Sequence, residues 1–396
     1  MKRTCKVAIV GCGGIAHAHV EGYQQLDEVE IVAVVDPHVP ARQIYMDSYG
    51  IPHGYADVET MLEKEQPDIV SICTWHLLHP EATIAAARAG VAGIICEKPM
   101  AIGAGPADTM MEACEESGTK LVIGHQRRFT PGWQKARDMV AEGAIGQPIF
   151  AKNRIADGLL NWGTHTIDGT RFALGDPEPD WVFGAVERKS DRHERGVAIE
   201  DACMGLIHFD SGVELLVESD LEREGAAAGW FQIQGSEGLI DASELSLRLF
   251  SASSGGWSDV ALQLEEGDKE IGGNTSADQV RELIAWIEGG AEHRGSGRQA
   301  RVTLEIMMAI YESARRHAVV QFPLAERDYP LQLMIAEGKL PVDEGEKRYD
   351  IRGFLKRDAV DEGAFKDLWS QGMPHHQIMR QLTEGEESTS GDSSSP

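Results

Sequence analysis

The chain has 396 residues, enough for two domains, with 42% hydrophobic and 26% charged residues, the balance of a globular protein. A formal net charge of −27 opposes nucleic acid and anionic membrane surfaces as main partners, because phosphates would be repelled. No apolar run approaches the ~20 residues needed to span a bilayer, and six cysteines without C-x-x-C spacing suit a reduced, cytoplasmic protein.

In chain order, "KVAIV" (6–10) is a first strand rather than a signal peptide, since it runs into "GCGGIA" with no A-x-A-like cleavage site. A helix to about Gln25 follows, then the strand "VEIVAVVD" ending at Asp36, a helix around 40–48, and the turn-rich loop "GIPHGYAD". "DVETMLEKE" predicts a helix, "PDIVSICT" a buried strand, and "HPEATIAAARAG" a helix with Pro80 at its start and Gly90 at its stop. The strand "GIICEKP", a helix near 106–117 and the strand "KLVIG" complete the pattern. Short, continuously apolar strands alternating with helices predict a parallel sheet covered on both faces, a Rossmann-type α/β domain over residues 1–125.

The pattern then changes. A helical segment around 131–142 precedes runs of period-two alternation, and "DSG" (210–212) and "GSEG" (235–238) read as hairpin turns. Residues 126–330 therefore read as an α+β domain with a large, mostly antiparallel open sheet. "TLEIMMAIYESARRHA" (303–318) is a helix whose Leu304, Met307, Met308 and Tyr311 share a core face. Residues 331–396 form a C-terminal extension, with a disordered acidic, serine-rich tail expected from about 383.

"VAIVGCGGIA" places Gly11, Gly13 and Ala16 in the G-x-G-x-x-G/A pattern between a strand and a helix. The first glycine permits the turn, the second lets a pyrophosphate reach the backbone, and the helix N-terminus offers N–H groups to the phosphates. Asp36, about 20 residues on, is placed to bond the ribose 2′-hydroxyl. Its carboxylate would repel a 2′-phosphate, so NAD is preferred over NADP, although Arg42 lies nearby. The "HLLH" at 76–79 is too sparse to predict a metal site, and no metal is expected.

These blocks, with "CEKPMA", "GHQRRFTPGW", "EGAIGQP", "GTHTIDGTRFALGD" and "SGRQARVTLEIMMAIYESARR", resemble the Gfo/Idh/MocA family of NAD(P)-dependent sugar and polyol oxidoreductases. The resemblance covers roughly residues 5–325. It implies a homodimer or homotetramer formed through the open sheet. It also implies a catalytic Lys98 in the cleft, with Gly14, Ile15, Thr74, His76, His79 and Glu97 beside the coenzyme. In "GLLNWGTHTID", His165 and Asp168 match the family pattern, but Asn161 stands where an aspartate is usual. Asn161 cannot titrate, so the hydroxyl proton is expected to pass through Lys98 and His165. Asp168 is expected to be structural, as are His17 and His19. Arg127 and Arg128 are candidates for binding substrate, Trp75 for stacking on a sugar ring, and Glu200 and Asp201 for packing. The segment before "GLLNWG" is shorter than the family usually has, which leaves the substrate open. The resulting function is hydride transfer between NAD and a secondary alcohol of a sugar, glycoside or cyclitol. The alternatives are an NAD-retaining enzyme that cleaves glycosides by transient oxidation and elimination, and a non-catalytic NAD-binding regulator.

Overall fold

The computed structural model describes residues 4–221, 230–252, 255–357 and 360–387. The first layer of the protein is a six-stranded sheet of β1 (Cys5–Val10), β2 (Val29–Val35), β3 (His53–Tyr55), β4 (Ile69–Ile72), β5 (Gly93–Cys96) and β6 (Lys120–Ile123). All pairings are parallel and the order is 3-2-1-4-5-6, the doubly wound arrangement. The strands read as apolar runs because both faces are covered: β4 and β5 are buried at every position. The loop expected at "GIPHGYAD" instead contains the short edge strand β3, in parallel register with β2. Its three residues are too few to show alternation.

The helices of this half are α1 (Ala16–Gln24), α2 (Val39–Tyr49), α3 (Val58–Glu65), α4 (His79–Arg88) and α5 (Ala104–Ser117). After α6 (Pro131–Ala141) the chain enters a nine-stranded mixed sheet. Its strands are β7 (Pro148–Ile155), β8 (Pro179–Glu187), β11 (Ala202–Phe209), β12 (Glu214–Ser219), β13 (Phe231–Gly235), β14 (Gly238–Ala242), β15 (Leu247–Ser251), β16 (Gly256–Asp259) and β17 (Val320–Gln321). Both expected hairpins form, β11–β12 and β13–β14, while the central β7–β12 pairing is parallel. Burial alternates along β11, with Cys203, Ile207 and Phe209 inward. Helices α7 (Thr164–Ala173) and α9 (Gly297–Arg316) lie on that inner face.

Helix α8 (Asn274–Ile287) follows the sheet strands yet packs on α1 of the first layer. A Cβ on Gly22 would lie 2.7 Å from Ser276 Cβ, so glycine sets how closely these two helices approach. A small three-stranded sheet joins β9 (Arg192–Glu194), β10 (Val197–Ala198) and β18 (Tyr349–Asp350) in the order 10-9-18, tying the C-terminal extension to the second domain. The extension also contributes α10 (Pro330–Ala336), α11 (Glu362–Ser370) and α12 (His375–Glu387). Helix α12 runs through the point where the tail was expected to begin, and residues 388–396 of that tail lie outside the described residues. No helix among the described residues is long and apolar enough to cross a membrane.

Candidate active site

One large cavity, of about 1640 Å³, runs along the carboxyl ends of β1, β2, β4 and β5 and between the two domains. This is where open α/β sheets bind their ligands, beside the switch point of the strand order. At one end the turn after β1 holds Gly11 at φ +94°, with an added Cβ only 2.9 Å from the Cys73 carbonyl group, so no side chain fits there. Gly13 has nothing within 4 Å of the Cβ position, leaving an open cradle in front of the α1 N-terminus. Gly14 and Ile15 also line the cavity, while Ala16 begins α1.

Asp36 stands at the end of β2. Its Oδ2 accepts from the Cys12 N–H at 2.9 Å and its Oδ1 from the His38 N–H at 2.8 Å, which hold the carboxylate against the turn with lone pairs to spare. Arg42 donates to the Asp36 carbonyl at 2.7 Å and is not part of the cavity lining.

Lys98 leaves β5 ahead of a cis Lys98–Pro99 bond. Its Nζ donates to the Asn161 carbonyl at 3.3 Å and lies 5.8 Å from the Trp162 ring centre. The amine keeps an outlet to the cavity but is packed round by protein. This burial, with the Arg195 charge, pulls its pKa down to about 7 against the opposing pull of Glu97 and Glu194. Burial would raise the neighbouring Glu97 carboxyl, but the hydrogen bond from His19 (2.9 Å) and the charges of His19 and Lys98 bring its pKa below the ordinary value. His19 is fixed in turn by Ser71 at 3.1 Å, so this first-helix histidine supports the strand end that carries Lys98.

The second wall comes from a π-helical turn, Leu159–Gly163, that leads into α7. Glu200 anchors it by accepting the Leu159 N–H at 2.6 Å, while its other oxygen accepts from the Tyr311 hydroxyl at 2.7 Å. Asn161 and His165 both face the cavity. His165 is buried, and burial together with Arg127, Lys98 and His125 pushes its pKa well below that of free imidazole. The Arg127 guanidinium donates to its Nε2 at 3.0 Å, so the neutral ring carries its proton on Nδ1. Arg127 itself is set by Glu244 at 2.6 Å and by the Trp162 ring at 4.9 Å.

Sequence reasoning missed the tight β9–β10 turn. It brings Arg195, ion-paired with the buried Glu194, into the cavity, and Glu194 Oε2 comes within 3.2 Å of His76 Nε2. The turn is pinned by Asp350 of β18, whose carboxylate accepts the Arg195 and Gly196 N–H groups at 3.0 and 2.7 Å. Its two strands span only three and two residues, and its anchor, Asp350, is more than 150 residues away.

Two expected contacts are placed elsewhere. Arg128 is fully buried away from the cavity, donating to both Asp168 oxygens at 2.7 Å and to the Arg294 carbonyl at 2.7 Å. Its guanidinium cross-links the loop after β6 to α7 and is not part of the cavity lining. His79 lies behind the lining with its ring nitrogens 2.9 and 3.0 Å from the Pro99 and Thr74 carbonyls, where it staples two strand ends together. Thr74, Trp75, His76 and Glu97 do line the cavity.

Several buried polar atoms along this cavity have no protein partner: Thr74 Oγ1, His76 Nδ1, Asn161 Nδ2 and His165 Nδ1. Buried polar groups are normally paired, so this row of orphans marks a surface built for a ligand. With the open cradle at Gly13 and the carboxylate of Asp36, these residues fit a dinucleotide at one end and a hydroxylated substrate at the other.

Comparison with known proteins agrees with this architecture. Residues 5–125 match the model of an oxidoreductase family with an NAD-binding Rossmann fold, and residues 151–322 match the C-terminal alpha/beta domain of the same family. The chain is 28% identical to the D-apiose dehydrogenase of Paraburkholderia graminis, over 84% of this chain and 94% of that protein. It is 30% identical to the 1,5-anhydro-D-fructose reductase of Ensifer adhaerens, over 59% of this chain and 74% of that one. In fold it is similar to an oxidoreductase from Agrobacterium radiobacter solved with NAD+, L-tartaric acid and magnesium. That match has a TM-score of 0.69 and 22% identity, covering 80% of this chain and 98% of the other. From the glycine turn to the nine-stranded sheet, the chain belongs to the Gfo/Idh/MocA oxidoreductase family, and its first domain is that family's NAD-binding Rossmann fold.

Proposed function

We propose that this protein oxidises a secondary alcohol of a sugar, glycoside or cyclitol with NAD, and that Lys98 takes the hydroxyl proton. The observation that carries this reading is the meeting of Lys98 with the unpartnered donors of Asn161 and His165 in the cavity that also holds the glycine turn and Asp36. Bound nicotinamide supplies the hydride acceptor. A lysine with its pKa near 7 is half neutral at physiological pH, and its lone pair accepts the proton as the C–H bond breaks. The lone pair of His165 is occupied by Arg127, so its Nδ1–H orients a substrate oxygen and does not remove the proton. That narrows the relay expected from the sequence to Lys98. Asn161 Nδ2 offers a second donor, and Trp75 and Trp162 also line the same space. The Asp36 carboxylate favours NAD over NADP by repelling a 2′-phosphate.

The test is to mix the protein with NAD+ and a panel of aldoses, glycosides and cyclitols and to follow NADH by its absorbance. NADH formation with at least one compound is expected. Normal NAD+ binding with no reduction by any of them would refute the dehydrogenase reading, and glycoside cleavage without net NADH would favour transient oxidation and elimination.

Residues 126–330 are read as the substrate and oligomerisation domain. On the outer face of the nine-stranded sheet, Phe183, Leu206 and Leu216 lie in register across β8, β11 and β12, with Phe183 43% exposed. An apolar row on a solvent-facing sheet favours burial against a second copy of the chain, giving a homodimer or homotetramer. Light scattering should return a multiple of the chain mass, and Phe183→Asp should lower it; a monomeric parent chain would overturn the assignment. Six free cysteines support a reducing, cytoplasmic setting.

A further inference from the structure

The matched family regions end at residue 322, but the wall of the coenzyme end of the cavity does not. Helices α11 and α12 close on α2 through a small core of Ile44, Phe365, Ile378 and Met379. Trp369 adds a hydrogen bond to Ser48 Oγ at 3.0 Å and ring contacts to His17 and Tyr45. This docking fixes the N-terminus of the 13-residue α12 beside the glycine turn. There, His375 Nδ1 lies 3.2 Å from where a Gly14 Cβ would be. The imidazole is only 7% exposed, yet neither ring nitrogen has a hydrogen-bond partner, and the residue lines the cavity. A buried ring with two unmet polar atoms, at a helix N-terminus, beside an open phosphate cradle, is a site awaiting an anion. The charge of the surroundings agrees. In a chain of net −27, the extension contributes Arg352, Lys356, Arg357 and Arg380 to the lining and, among the described residues, no carboxylate. Arg357 and Arg352 are partly neutralised by Glu362 and Asp157.

We propose that the C-terminal extension completes the dinucleotide site, with the His375 imidazole and the N-terminus of α12 binding the coenzyme diphosphate over Gly13 and Gly14. The inference rests on the NAD-binding family assignment and not on the identity of the substrate. Burial, with Arg357 and His376, lowers the His375 pKa to about 4, so the ring serves as a neutral N–H donor.

The experiment is calorimetric binding of NAD+, ADP and adenosine to the full-length chain and to His375→Leu, His375→Ala and His375→Gln. Leucine and alanine remove the donor, with leucine keeping most of the volume, while glutamine supplies an amide N–H. The leucine and alanine variants should bind ADP and NAD+ about tenfold to a hundredfold more weakly, the scale of one hydrogen bond to a charged group. Adenosine affinity should hold, and glutamine should recover part of the loss. His375→Leu binding ADP as tightly as the parent, or losing adenosine and ADP equally, would reduce His375 to packing and overturn the proposal. The readout is binding, so a failed sugar screen leaves this result interpretable.

Discussion

Lys98→Met should lower alcohol oxidation by about a thousandfold or more, the combined scale of a lost general base and a lost stabilising charge. NAD+ affinity should be nearly unchanged, because Gly13 and Asp36, at the other end of the cavity, are untouched. The pH profile carries a second, independent signature. A lysine acts as base only when neutral, and burial beside Arg195 sets its pKa at about 7. The rate of oxidation should therefore climb as pH rises through about 7 and then level, whereas reduction of the corresponding ketone should fall over the same range. Lys98→Arg tests the base role directly, since guanidinium stays charged at every accessible pH. If Lys98→Arg keeps parental activity, proton removal belongs to another group.

The parts of this site that could be read from sequence are those whose chemistry is local. A glycine turn between a strand and a helix, an acid at the next strand end and a lysine before a proline each depend on neighbours a few residues away. The parallel sheet and the hairpins followed for the same reason, from apolar runs and short turns. Side-chain direction was not legible. Arg127 and Arg128 are adjacent and chemically alike, yet one faces the cavity and the other is locked to Asp168, because successive residues of a turn point to different sides. Arg195 was hidden for another reason: its short hairpin is anchored by β18, in the distant extension, which pairs with β9. His375 likewise has no motif, and its meaning comes from the docking of α11 and α12 on α2. Within α12, Ile378 and Met379 are fully buried against Ile44 and Phe365.

Asp168→Ala should be the most destabilising single change in this region, at about 3–5 kcal/mol, the cost of leaving a buried charge without its partner. Arg128 is fully buried and, among the described residues, keeps Asp176, at 2.9 Å, as its one remaining carboxylate. Burial alone would raise the Asp168 pKa, but the Arg128 and His125 charges overcome it and hold the carboxyl below the ordinary aspartate value. A depressed folded-state pKa means that the stabilisation is complete above the unfolded value of about 3.9 and is lost as pH falls through the folded value. The gap in urea midpoint between the parent chain and Asp168→Asn should therefore be widest near neutral pH and should narrow in acid. A gap that stays constant down to strong acid would show that the ion pair is not the source. The same substitution should reach catalysis without touching substrate. Asp168 and Arg128 join α7 to the loop after β6, the two segments that carry His165 and Arg127. Loosening that joint should free the His165 ring from the Arg127 guanidinium and raise the KM for substrate at temperatures where the variant is still folded. Lys98, held by β5 and the Asn161 carbonyl, keeps its place, so kcat should fall far less than in Lys98→Met.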